Sequence, residues 1–303
     1  MTRVLLFGAG ASCGAGDIAP ENPPLGNQLF GELARCYPRS WGSLPSDADS
    51  TFRDDFEAGM AMVWDRYSHV VPALMQQMAL YFVQFRPKTR GSTLYCSLAR
   101  KIKDAAAERV LLLSTLNYEC LLEHSITAES IAVNYGSFPG ADGAVTLSKL
   151  HGSCNFLPSG VEATRAVQFT RGVIFDTPVR AVGDLNQVAQ FCLGDNALPP
   201  VMCLFMKDKP TQVSPGSVTA MQEAWRSAVT AAETVAIIGV RPNQADAHLW
   251  DAVAQTEARV LFIGNEKAFA DWAGEHRGGR PSEAIASSFN GGFDRLVDQM
   301  VRS

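Results

Sequence analysis

Paired cysteines are missing from this chain. Its seven cysteines are scattered, and no Cys-x-x-Cys occurs. Neither a structural zinc motif nor a disulfide framework is indicated, and reduced, partly buried thiols are expected. Long apolar runs are missing too. The longest, such as Val110–Leu113 and Val235–Ile238, fall far short of the roughly 20 residues a membrane-spanning helix needs. The start, Met1-Thr2-Arg3, enters an apolar run directly, without the charged, apolar and small-residue order of a leader. A cytoplasmic protein with no membrane partner is expected. A basic excess is also absent: 26 Lys and Arg stand against 31 Asp and Glu, a net charge of −5. That balance argues against a nucleic-acid backbone as partner. It leaves room for a small anion held by backbone N–H groups. No repeat, low-complexity tract or block of like charge interrupts the 303 residues, of which 47% are hydrophobic, enough for a sizeable core.

What is present is a series of short apolar segments, each ending in glycine or a polar residue and followed by a helical pattern. Arg3–Gly8, Val110–Thr115, Val235–Val240 and Arg259–Gly264 are of this kind, and Thr146–Leu150 and Val201–Phe205 are further strand candidates. Runs of four to six residues rich in Val, Leu and Ile suit strands buried on both faces of a parallel sheet. Alternation with helices gives βαβ units. The expected fold is therefore α/β, a Rossmann-like, doubly wound, mainly parallel sheet occupying residues 1–303 as one domain. Between the first two strands, about residues 36–107, no strand is evident. Phe52, Phe56, Met60, Val63 and Tyr67 fall at helical spacing, and Leu74–Phe85 and Leu94–Ala107 also read as helices. This length exceeds a simple crossover and predicts a helical insertion or subdomain. The stretch Cys154–Pro200, rich in Gly and Pro, is less regular.

Three places carry chemistry. The first strand feeds Gly8-Ala9-Gly10-Ala11-Ser12, where glycines let the backbone approach a diphosphate and helix N-terminal amides face it. The third glycine is Gly14, so the spacing is not that of the usual dinucleotide fingerprint, and a plain tight turn accounts for the pattern equally well. The following Pro23–Phe30 segment suits a loop covering a ligand or an ordinary surface loop. Asn117 falls just past the second strand and His151 just past Thr146–Leu150. Singly, each has a structural reading, a turn former and a packed histidine. Together they arrive at the strand ends where ligands of such sheets bind.

The combination Gly8–Ser12, Leu116-Asn117-Tyr118-Glu119 and Lys149-Leu150-His151-Gly152-Ser153 resembles the sirtuin superfamily. It is most similar to the sirtuin-like NAD-consuming domains of bacterial antiphage defence. Phe56-Glu57, Ile238-Gly239-Val240 through Asp246, and Phe262-Ile263-Gly264-Asn265 are looser parts of the likeness, which spans residues 3–270. The resemblance implies NAD⁺ as substrate and cleavage of its nicotinamide–ribose bond, with Asn117 and His151 catalytic. It implies nucleotide contacts from Gly8, Ala9, Gly10, Ala11, Ser12, Gly152, Ser153, Gly239, Val240, Arg241, Asp246, Gly264 and Asn265. It further implies a regulated antiviral effector, latent until switched on by an activating partner chain or by homo-oligomerisation.

The chain departs from protein-deacylating sirtuins in three ways. Only Cys154 lies near the position of their four zinc cysteines, Leu116 and Glu119 replace Gln and Asp, and Val240-Arg241 replaces a Ser/Thr pair. No zinc and no other metal site is expected. His69, His124, His248 and His276 lack ligand spacing, and Asp246 and His248, taken as alternate residues of a helix, would not share a face. Two alternatives to the glycohydrolase remain: an NAD-dependent deacylase or ADP-ribosyltransferase, and a non-catalytic subunit that senses NAD or ADP-ribose. Glu119 fits either electrostatic support of the site or a helix cap.

Overall fold

The computed structural model describes residues 2–108, 110–136, 138, 141–165, 173–243 and 246–302. Its strands are β1 (Arg3–Phe7), β2 (Ile18–Ala19), β3 (Arg86–Pro87), β4 (Leu111–Thr115), β5 (Ala132–Asn134), β6 (Ala144–Lys149), β7 (Phe156–Pro158), β8 (Val179–Ala181), β9 (Thr234–Ile238), β10 (Arg259–Ile263) and β11 (Ser282–Ala286). Seven of them form one sheet in the order β11-β10-β9-β1-β4-β6-β5, and every neighbouring pair is parallel. The doubly wound α/β fold read from the sequence is the fold observed. β2 with β3 and β7 with β8 make two small antiparallel pairs.

Two-sided burial explains the continuous apolar runs. Leu5, Phe7, Leu113, Ala236, Ile238, Leu261 and Ile263 face one layer. Val4, Leu6, Leu112, Val235, Ile237, Val260 and Phe262 face the other. The period of two along each strand thus fills two cores at once. Each such side chain contributes about 1.5–3 kcal/mol on burial. The first layer comes from α2 (Gly26–Cys36), α3 (Ser46–Asp54), α4 (Phe56–Arg66), α5 (Val71–Phe82), α6 (Leu94–Asp104), α7 (Leu121–Ala128), α8 (Asn186–Leu193) and α12 (Phe289–Val297). The second comes from α9 (Pro215–Thr230), α10 (Ala247–Gln255) and α11 (Glu266–His276). A five-residue helix, α1 (Ala9–Cys13), follows β1 directly. Among the described residues no helix is long and apolar enough to cross a membrane.

Two sequence expectations are corrected. Phe52–Tyr67 is not one helix. The chain is extended at Asp55 (φ −153°, ψ 121°), which ends α3 and caps α4 by accepting a hydrogen bond from the Ala58 amide at 2.8 Å. Helical spacing carried across the break because both helices bury the same aromatic cluster, Phe30, Trp41, Phe52 and Phe56. Nor is Val201–Phe205 a strand of the sheet. It is a buried loop that hydrogen-bonds across the turn after β6, with Ser153 N donating to Val201 O and Cys203 N to His151 O, both at 2.9 Å. Burial without a ladder gave it a strand-like composition. Part of the irregular Cys154–Pro200 stretch, residues 166–172, lies outside the described residues.

The turn after β6 holds its shape through Gly152, which sits at φ +74°, and a Cβ there would lie 2.1 Å from Val201 O. Gly160 has a similar φ of +77° but open space around its Cα. Gly160→Ala should cost only left-handed strain, on the order of 1–3 kcal/mol. Gly152→Ala should cost clearly more, because two backbone segments must part. Urea midpoints at constant m-value measure the difference, and equal losses would show that the Val201 contact yields freely.

Candidate functional site

β1 is the point at which the strand order reverses, with β4, β6 and β5 on one side and β9, β10 and β11 on the other. In doubly wound sheets a crevice opens beyond the carboxyl ends at this reversal. Here it holds a cavity of about 620 Å³, lined from the sheet side by Gly8, Ala9, Gly10, Leu116, Asn117, His151, Gly239, Val240, Arg241 and Asp246. That volume is in the range of small-molecule sites. The facing wall comes from α3, α4 and two loops: Leu25 to Asn27, Phe52 to Glu57, Phe205 and Lys209.

The floor is main chain against main chain. Gly8 N donates to Ile238 O at 2.9 Å and Gly10 N to Gly239 O at 3.0 Å. A Cβ on Gly239 (φ +66°) would lie 2.1 Å from Ala11 N, and one on Gly8 would lie 2.7 Å from Gly239 O. The glycines therefore serve the mutual approach of two turns as well as an open face toward the cavity.

Beneath this floor lies a buried polar cluster. Asn117 Nδ2 donates toward Gly8 O (3.1 Å), Ser12 Oγ (2.9 Å) and Glu119 Oε1 (3.1 Å). Ser12 Oγ donates to Glu119 Oε1 at 2.6 Å and lies 2.9 Å from Tyr95 OH. Glu119 Oε2 accepts from the Leu121 amide at 2.6 Å, at the start of α7. One carboxylate thus bonds the first amide of α7 and, through its other oxygen, the Ser12 and Asn117 side chains. Burial pushes its pKa up, opposed by Lys149 and by the Ser12 and Leu121 hydrogen bonds. Lys149, fully buried, donates to Glu119 O at 2.6 Å and pairs with Glu123 at 2.9 Å. Burial opposes its charge, but Glu123 and its other neighbours hold the amine above its usual range.

His151 is 4% exposed. Its Nε2 lies 3.4 Å from Asp246 Oδ1, and its ring centroid is 5.5 Å from that of His248. Burial drives the His151 pKa well below the ordinary range, aided by Lys209 and His248, so the imidazole is neutral at pH 7. Lys209 pairs with Glu57 at 2.7 Å, lies 3.6 Å from Asp246 Oδ1 and sits over the Phe205 ring at 4.7 Å.

The structure brings Gly8, Ala9, Gly10, Asn117, His151, Gly239, Val240, Arg241 and Asp246 to one cavity. It does not bring the others there. Ala11 and Ser12 are buried below the floor, and Ser12 spends its hydroxyl on Glu119. Gly152 shapes its turn, and Ser153 is fully buried with its hydroxyl on Tyr118 O at 3.2 Å. Gly264 bonds to Ala286 O, and Asn265 caps α11 by accepting from the Ala268 amide. Sequence reading gave no role to Lys149, Tyr95, Phe205 or Lys209. An uncharged-looking strand ending in a lysine was the one signal for Lys149. The helical reading of Asp246-Ala-His248 is corrected: Asp246 precedes α10 as its N-cap residue (φ −106°, ψ 33°), so helical facing does not apply to it.

No family model and no curated protein matches the chain. Among solved structures it is similar to a Sir2 homologue in complex with NAD (14% identical, covering 99% of this chain and 88% of that one, TM-score 0.47). It is also similar to Sir2Tm bound to a propionylated peptide (12%, 98% and 92%, 0.45) and to an ADP-ribose complex of a Sir2 homologue variant (16%, 99% and 90%, 0.46).

A buried imidazole whose pKa falls on folding binds fewer protons in the native state than in the unfolded one. Stability is then present above the unfolded value, near pH 6.5, and is lost as pH falls below it. His248, drawn down to about 4 by burial and then Lys209, acts in the same direction. Between about pH 7 and pH 5 the unfolding midpoint of the native protein should drop more steeply than that of His151→Gln. Parallel slopes in chemical denaturation would show that His151 is protonated without cost.

Proposed function

We propose that the chain binds NAD⁺ in this cavity and cleaves its nicotinamide–ribose bond, as a sirtuin-like NAD⁺ glycohydrolase. The carrying observation is that Asn117 and His151, 34 positions apart in the sequence, line one cavity beside the Gly8–Gly10 turn. The diphosphate lies against the side-chain-free face of that turn at the start of α1; the Gly8 and Gly10 amides already serve Ile238 O and Gly239 O, so close approach and the helix-end field favour the anion. Val240 and Arg241 flank the nucleoside portion. The aromatic wall of Phe52, Phe56 and Phe205 covers the reacting end and limits water there to the molecule that reacts.

Nicotinamide departs as a neutral base from a cationic N-glycoside, taking the electron pair of the broken C–N bond, so no acid is required. The demand falls on the ribose cation and on the water that traps it. Asn117 is fixed by Ser12 and Glu119 before substrate arrives and orients ribose and water, which is positioning of the kind that lowers barriers most. His151, neutral by burial, takes the proton the water gives up as it bonds to the anomeric carbon. Asp246, 3.4 Å away, stabilises the imidazolium formed. ADP-ribose, nicotinamide and one proton result.

The motif resemblance supports an enzyme of the antiphage type, without the four-cysteine structural zinc of the deacylating sirtuins, acting in the cytoplasm to deplete NAD⁺. Such an activity harms its own cell unless held in check, so we assign its control to an activating partner chain or to homo-oligomerisation. The expected products are ADP-ribose and nicotinamide from NAD⁺ alone. Nicotinamide release that requires an acyl-lysine peptide would instead support the deacylase. Binding of NAD⁺ without turnover by the assembled protein would support the sensing subunit. His151→Ala should lower turnover by ~10²–10⁴-fold while calorimetry finds NAD⁺ affinity changed far less. A variant that cleaves NAD⁺ at the native rate overturns the assignment.

A further inference from the structure

His151, Asp246 and His248 each present one ligand atom, and these atoms lie within 4.8 Å of one another. His151 Nε2, Asp246 Oδ1 and His248 Nε2 are all shielded from solvent, and none makes a hydrogen bond. Three buried polar atoms converging without hydrogen bonds are costly, and such a group calls for an occupant. His151 and Asp246 are 4% and 8% exposed. We propose that these three side chains form a binding site for a divalent first-row transition ion, zinc being the reference case.

The chemistry of the donors fits. Two imidazoles and a carboxylate suit zinc, cobalt and iron(II) rather than the oxygen-only shells of magnesium or calcium. Zinc bonds of roughly 2.0–2.1 Å in a tetrahedron set ligand atoms about 3.4 Å apart, and His151 Nε2 lies 3.4 Å from Asp246 Oδ1. Three protein ligands leave a coordination position toward the cavity that His151 and Asp246 line. Lys209 lies 3.6 Å from Asp246 Oδ1, but its shorter contact is with Glu57 at 2.7 Å, a partner it retains when a metal takes Asp246. Its charge weakens the site without blocking it.

The site also has a regulatory consequence, which rests on the glycohydrolase reading. A metal on His151 Nε2 takes the lone pair that would accept the proton from water. Occupied protein is therefore silent, and removal of the ion releases the base.

The test uses the tag-free full chain, treated with chelator and then titrated with Zn²⁺ by calorimetry and with Co²⁺ by visible absorption. One equivalent of zinc and the intense bands of low-coordinate cobalt are expected, with Mg²⁺ giving neither. Asp246→Asn and His248→Gln, checked for native folding by circular dichroism, should weaken zinc by more than the roughly 10–100-fold typical of losing an outer-shell partner. No saturable binding, or binding unchanged in both folded variants, overturns the site. These readouts do not use NAD⁺, so a chain that binds zinc but leaves NAD⁺ intact even when assembled and freed of metal would sink the glycohydrolase and keep the metal site. Turnover unaffected by one bound equivalent of zinc would overturn the regulatory consequence alone.

Discussion

The Glu119 carboxylate is the interaction on which the cavity edge of the sheet depends. One oxygen receives Ser12 from the turn after β1 and Asn117 from the end of β4, and the other receives the first amide of α7. A buried carboxylate with fewer partners would carry a large desolvation cost, so the group stays where it is only while all of these donors are in place. Two strand ends and a helix are thereby locked in one arrangement. Lys149, itself buried, closes the set from β6 by holding the Glu119 carbonyl and the Glu123 carboxylate. The ends of three strands and the start of a helix are joined here by side chains.

That lock explains why Asn117 can be a positioned group rather than a mobile one. Its amide nitrogen has three acceptors around it, all belonging to the protein. His151 is held differently. Its carbonyl is tied to the Val201–Phe205 loop and its ring is packed between Asp246 and His248, with ring nitrogens left for chemistry. One residue is fixed through its side chain, the other through its main chain.

Much of the fold was legible because a parallel sheet buried on both faces must write itself as short, continuous apolar runs. β1, β4 and β10 lie within the segments read as strands, β6 and β9 overlap theirs but start two residues and one residue earlier, and their ends border the cavity. β11 was not legible: Ser282–Ala286 is half-buried throughout, an edge strand with little apolar demand. Val201–Phe205 misled for the opposite reason, being buried deeply enough to look like a strand while pairing with a turn. At the site, Asn117, His151 and the glycine turn were visible as strand-end residues. Lys209, Phe205 and the α3–α4 wall were not, because loop residues reach the cavity through tertiary packing that no local period records. Asp246 was read as a site residue, but its convergence with His248 was missed through one assumption, that both residues lie within a helix.

The abutment of Gly8 and Gly10 on Gly239 has a wider consequence. Where backbone rests on backbone, no side chain is available to be exchanged, so the inner half of the pocket is closed to gradual alteration. Adaptation toward a different ligand must then proceed at the rim, at Arg241, Asn27 and their neighbours. Related chains of this build should diverge from the mouth inward while the seat of the pocket stays the same.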